Sequence, residues 1–139
     1  MAVANDLNAV LRIGVAASDD GDFDNELDGS FTDDQFVQFK NNSSEDISEL
    51  ELTIENTSAD GDNEVAINDS DEGEEQFGFG GVTLEEGDFE TENIEDLSDN
   101  DDAIIGITPS GENTLEFDLT AEFNGTTLSL TREADFNEN

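Results

Sequence analysis

The sequence predicts an all-β protein, an antiparallel β-sandwich of jelly-roll or immunoglobulin-like form with eight or nine strands. Three observations carry that expectation. Short runs alternate strictly between apolar and polar residues. Turn residues punctuate them at roughly 8–12-residue intervals. No segment sustains an apolar period of about 3.6 residues over three turns. Alternation is clearest over residues 47–55, where Leu50, Leu52 and Ile54 take one face and Glu49, Glu51, Thr53 and Glu55 the other. It recurs over 114–121, with Leu115, Phe117, Leu119 and Ala121 inward and Thr114, Glu116, Asp118 and Thr120 outward. Side chains of a strand repeat every two residues, so each run offers one face to a core and one to water.

In chain order, the first candidate strand covers residues 8–17. It sets Ala9, Leu11, Ile13, Val15 and Ala17 on one face, with Arg12 opposite. The acidic stretch over 18–34 reads as a loop. Strands are then expected over 35–40, 47–55, 64–68, 76–84, 88–94, 103–108, 114–122 and 126–131. Turn chemistry separates them at Asp60-Gly61, Glu72-Gly73, Gly87-Asp88, Pro109-Ser110-Gly111 and Asn124-Gly125. Asn-Gly between two alternating runs is the strongest hairpin signal, because a two-residue hairpin loop needs positive φ at its centre.

Charge is the other dominant feature. The chain of 139 residues carries 39 Asp and Glu against 3 Lys and Arg, a net charge of −36. Its cations are Arg12, Lys40 and Arg132. In dilute buffer such a chain repels itself and resists compaction. At molar ionic strength the Debye length falls to about 3 Å, and only near neighbours still interact. The composition therefore points to an extreme halophile, a haloarchaeon, whose proteins fold in concentrated salt. High net charge with low hydropathy is also the signature of disorder. Ten Phe, and carboxylates sorted onto one face of each run, argue for a fold instead.

The length suits one domain over 1–139, with residues 1–17 a candidate exchanged N-terminal strand. Such a domain buries roughly two-thirds of its unfolded surface. Without Cys, neither disulfides nor thiolate metal sites are available. No run approaches the ~18 apolar residues of a membrane span. Residues 1–17 hold Asp6 and Arg12 and lack the pattern of a leader, so an exported form is expected to have shed one already.

The catalytic inventory is thin. There is no His and no Cys, and Lys40 is the one lysine, so the usual bases and nucleophiles are missing and an enzyme is not expected. Calcium is the better chemical candidate. Asp20, Asp22, Asp24 and Asp28 space carboxylates in the manner a hard cation with 6–8 oxygen ligands requires. Position twelve of the corresponding loop is Gln35 rather than a bidentate Glu, so solvated acidic loops are the competing reading. Nucleic acid is not an expected partner, since three cations cannot neutralise a phosphate backbone. Asn-x-Ser/Thr occurs at Asn41, Asn42, Asn56, Asn68 and Asn124, all in expected loops or strand ends where a glycan is tolerated.

Three segments resemble a known family. Val3-Ala4-Asn5-Asp6-Leu7-Asn8-Ala9-Val10-Leu11 is similar to the early strand of the TasA/camelysin-like fibre proteins and archaeal bundling pilins. Asn41-Asn42-Ser43-Ser44-Glu45-Asp46-Ile47 resembles their midsection, and Pro109-Ser110-Gly111-Glu112 before Leu115-Glu116-Phe117 resembles their Pro-Gly-Glu turn into a late strand. The resemblance implies a secreted sandwich that forms a cell-surface filament or matrix, each subunit lending an N-terminal strand to the next. Residues 8–17 suit that role. They lie in an acid-free stretch over 7–18, and main-chain pairing with alternate side chains in pockets would supply the affinity. The competing reading is an ordinary first strand of its own sandwich, which the default that neighbouring elements pack together favours. A calcium-dependent adhesion or binding module is the alternative function.

Overall fold

A computed structural model describes residues 11–16, 25–26, 29–32, 36–43, 45–58, 64–69, 77–98, 101–123 and 125–137. All of the regular structure among them is β. In chain order the strands are β1 (Leu11–Ala16), β2 (Asn25–Glu26), β3 (Gly29–Thr32), β4 (Phe36–Asn41), β5 (Glu49–Asn56) and β6 (Glu64–Asp69). There follow β7 (Val82–Glu85), β8 (Phe89–Ile94), β9 (Asp102–Ser110), β10 (Glu112–Phe123) and β11 (Thr126–Asn137). They form two sheets. Sheet A runs β2-β1-β4-β9-β6-β7, and sheet B runs β3-β11-β10-β5-β8. Every pairing is antiparallel except the parallel contact of β3 with the end of β11.

The alternating runs become the two facing inner surfaces. Leu50, Leu52 and Ile54 of β5 are fully buried, as are Leu115, Phe117 and Ala121 of β10. The β10–β5 and β10–β11 registers set Leu119 opposite Leu52 on one side and Leu130 on the other. From sheet A come Leu11, Ile13, Val37, Phe39, Val65, Ile67, Leu84, Ala103, Ile105 and Ile107, in one continuous core with the residues of sheet B. Four ring contacts thread this core. Phe79 meets Phe77 at 6.0 Å and Phe77 stands edge-on to Phe39 at 5.5 Å. Phe39 then approaches Phe117 at 6.3 Å, and Phe117 approaches Phe136 at 6.0 Å. Each such pair adds about 0.5–1.5 kcal/mol beyond the area it buries. The Phe content therefore joins the sheets, doing the work for which other proteins use Trp and Tyr.

Nine of the strands match the expected segments, with three corrections. The acidic stretch over 18–34, expected as a loop, contains β2 and β3. Both are short backbone pairings at sheet edges, where no side-chain alternation is required. The segment expected as a strand over 76–84 starts its strand only at Val82. Phe77 and Phe79 precede it as buried plugs of the core, on irregular backbone. Pro109 and Ser110 belong to β9, and only Gly111, at φ 79°, makes the turn. Proline is tolerated there because β4 leaves β9 after Gly106, so that side of the strand needs no amide donor. The hairpin between β10 and β11 is as expected, with Phe123 opposite Thr126 and Gly125 at φ 77°.

Candidate assembly surfaces

β1 is the strand that carries the expected assembly residues. Leu11 is completely buried and Ile13 is 3 % exposed. β1 pairs with β4 over its whole length, from Leu11 opposite Asn41 to Ala16 opposite Phe36. On its other side β2 reaches only Gly14 and Val15. Within this chain β1 thus lies near the rim of sheet A and supplies two side chains to the core. Ala9 and Ala17 lie outside the described residues, and Val15 is placed by its backbone. Asp20, Asp22, Asp24 and Asp28, the candidate calcium ligands, also lie outside them. Among the described residues no group of three or more acidic side chains is arranged to hold a metal ion.

The two outer faces differ sharply. Sheet B presents Glu49, Glu51 and Glu55 on β5, Glu116, Asp118 and Glu122 on β10, and Glu133 and Asp135 on β11. Threonines are interleaved with them. Thr114 and Thr131 donate to Asp135 and Asp118 at 2.8 Å, and the hydroxyls of Thr53 and Thr91 share a hydrogen bond across β5 and β8. One row sets Glu55, Glu116 and Glu133 side by side across three strands. The charge of Asp118, then burial and a hydrogen bond with Asp118, then Glu55 and Glu133, push the Glu116 carboxyl above its ordinary value.

Sheet A sets Arg12, Lys40 and Asp102 in one row across β1, β4 and β9. Two of the three cations, 28 positions apart in sequence, become direct cross-strand neighbours. The next row holds Gly14, Gln38 and Ile104, all buried although sheet B lies on the opposite side of sheet A. Gln38 donates to Asp102 at 2.6 Å, and among the described residues its Oε1 has no hydrogen-bond partner. Beside this row Phe36 lies over Gly106, where an added Cβ would come within 3.4 Å of the ring.

Three buried asparagines tie strand ends and sheets together. Asn56 donates to the Leu84 carbonyl at 3.2 Å and to Asn113 Oδ1 at 3.1 Å, and its own Oδ1 accepts the Ser58 amide. Asn113 donates to the carbonyls of Glu64 and Ser110. Asn41 donates to the carbonyls of Glu45 and Leu97 and accepts from Ser43. The side-chain nitrogens of Asn41 and Asn56 are buried and engaged, so these two sites do not accept a glycan in the folded protein. Asn42 and Asn68 are exposed. Motif spacing could not separate these cases, because burial at a strand end depends on which strand crosses there.

The sheet edges also differ. β7 is four residues long and runs straight into Glu86. On β8, Glu90 and Glu92 occupy the inward row, opposite Ile54 and Leu52, and the Glu92 carboxylate rests against Gly78. Inward charges and short length are standard protections of an edge strand. β11 is different. β3 covers only Ala134 to Asn137, and among the described residues no strand pairs with 126–133 on the side away from β10. No helix among the described residues is long and apolar enough to cross a membrane. No protein-family model and no curated protein matches this sequence.

Proposed function

We propose that this chain is a structural subunit of a secreted cell-surface filament or matrix in an extreme halophile, assembling by exchange of its N-terminal strand. The observation that carries the reading is the position of β1. It delivers Leu11 and Ile13 into the core, yet among the described strands only β4 pairs along its full length. A strand so placed leaves an apolar slot when it is withdrawn, and the same strand of another copy would fill it. Its acid-free surroundings let two copies of a strongly anionic chain approach at that point. A role without catalysis accords with an inventory lacking His and Cys.

The test is removal of residues 1–17 with add-back of the peptide 8–17 in molar salt. Donation predicts a folded, polymerisation-incompetent core that the peptide stabilises. Ile13→Asp refines the outcome, since an unpaired buried charge costs several kcal/mol, as an order of magnitude, wherever the strand docks. Loss of polymers with an intact monomer supports donation, whereas unfolding of the isolated monomer assigns β1 permanently to its own sheet. Calcium that raised the melting temperature against molar monovalent salt would instead favour an adhesion module.

A further inference from the structure

Among the described edges, residues 126–132 of β11 combine an acid-free stretch with two half-covered leucines where β3 does not reach. From Phe123 to Arg132 the chain contains no Asp or Glu, in a protein where 39 of 139 residues are acidic. Leu128 and Leu130 sit on the inward row and are only partly buried, although they pack on the core. Thr127, Ser129 and Thr131 on the outward row are exposed. Main-chain donors and acceptors that no described strand engages, beside two half-covered leucines, make a surface that another strand completes.

We propose that this edge pairs with the same edge of a second copy, antiparallel about a two-fold axis through Ser129. This contact is separate from strand donation by residues 8–17 and does not rest on it. Geometry selects the register. For the inward rows of both copies to stay on one side of a continuous sheet, residues directly opposite must share a face. Centring on Ser129 satisfies this, placing Leu128 opposite Leu130, Thr127 opposite Thr131 and Thr126 opposite Arg132 of the other copy. The four leucines then cover one another, and the threonines form cross-strand pairs of the kind that stabilise sheets.

Both ends of the contact are set by the fold. The β10–β11 turn at Gly125 ends it on one side, and β3, beginning opposite Ala134, ends it on the other. The first acid beyond the pairing, Glu133, faces the turn glycine rather than another carboxylate. A self-complementary contact is what two-fold symmetry requires. The charge pattern identifies the occupant as another copy. Wherever acidic surfaces meet, two chains of net charge −36 repel each other, and this edge lets them meet without opposing carboxylates.

The experiment is sedimentation equilibrium of the full chain in molar potassium chloride, with two single-site variants. The wild type is expected to show a monomer–dimer equilibrium. Ser129→Asp, at an exposed position, should leave the circular dichroism unchanged and weaken dimerisation roughly tenfold or more, since like charges then face each other at the axis. Because the chain has no cysteine, Ser129→Cys provides an independent readout. Opposed Cα atoms about 4.5–5.5 Å apart lie within disulfide reach, so mild oxidation should yield a covalent dimer. Thr91→Cys on the protected β8 edge should not. A wild type that stays monomeric at all concentrations, or a Thr91→Cys variant that cross-links as readily as Ser129→Cys, overturns the proposal. Should Ser129→Asp unfold the chain, cross-linking decides.

Discussion

The outer faces of sheets A and B are built from the same alternation but serve different surroundings. Sheet B presents nine carboxylates, Glu112 at the start of β10 among them, and no cation on the outward rows of β5, β10 and β11. Sheet A places Gln38, Ile104 and Gly14 there, buried, beside the Arg12–Lys40–Asp102 row. A face that repels itself is tolerable where solvent ions surround it. A buried face must instead be apolar or hydrogen-bonded. The comparison shows that charge in this protein is sorted by the packing of each face rather than spread evenly over the molecule.

Removing salt should have the largest effect on this contrast. Transfer from molar to dilute salt lengthens the screening distance from about 3 Å to 10 Å or more. The Glu55–Glu116–Glu133 row then repels fully, and the β signal in circular dichroism is expected to weaken or vanish. A fold unchanged across the salt series would mean that the acidic face carries little repulsion. Next in size is a paired substitution. Ile104→Ala, on the buried outer face, should cost about 2–5 kcal/mol, as for truncations in a core. Thr120→Ala, on the acidic face, should stay within about 0.5 kcal/mol. Equal losses in chemical denaturation would erase the distinction between the faces.

A smaller effect is expected at Gln38. Its Oε1 is buried with no partner among the described residues, and such a group costs about 1–3 kcal/mol. Gln38→Leu removes that cost and releases Asp102, a partly exposed carboxylate that water can solvate. Stability should hold or rise by up to about 1 kcal/mol. A clear loss would show that the Gln38–Asp102 bond outweighs the orphaned oxygen.

The smallest change belongs to Glu116. Because its folded carboxyl holds a proton more tightly than the ordinary 4.5 of an unfolded glutamate, folding takes up protons as pH falls. The resulting stability is complete below 4.5 and is lost as pH rises through the raised value. Glu116→Gln should therefore raise stability near neutrality by no more than about 0.5 kcal/mol, the solvent-screened scale of an exposed pair. It should also flatten the gain in unfolding midpoint on acidification. An unaltered pH profile in the variant would assign the repulsion to other carboxylates.

Alternation by itself determined the fold class and the inward rows of β5 and β10. The period of two survives in any register, and each row is apolar on one side only. The Asn-Gly hairpin was legible for a similarly local reason, since its turn needs only two residues of suitable chemistry. Of the candidate assembly residues, Leu11 and Ile13 were legible as an apolar face. Their neighbours were not. Tertiary structure alone decided that Arg12 faces Lys40, that Gln38 and Ile104 are buried on an outer face, and that Asn41 and Asn56 are buried with their amides engaged by distant segments. It also decided that Glu90 and Glu92 protect one edge of sheet B while, among the described strands, none but β10 pairs with residues 126–133 of β11. These facts depend on which strands become neighbours, and pairing joins backbone groups that are alike in every strand. A strand's own sequence specifies its faces, while its neighbours are chosen by how all the faces close around one core.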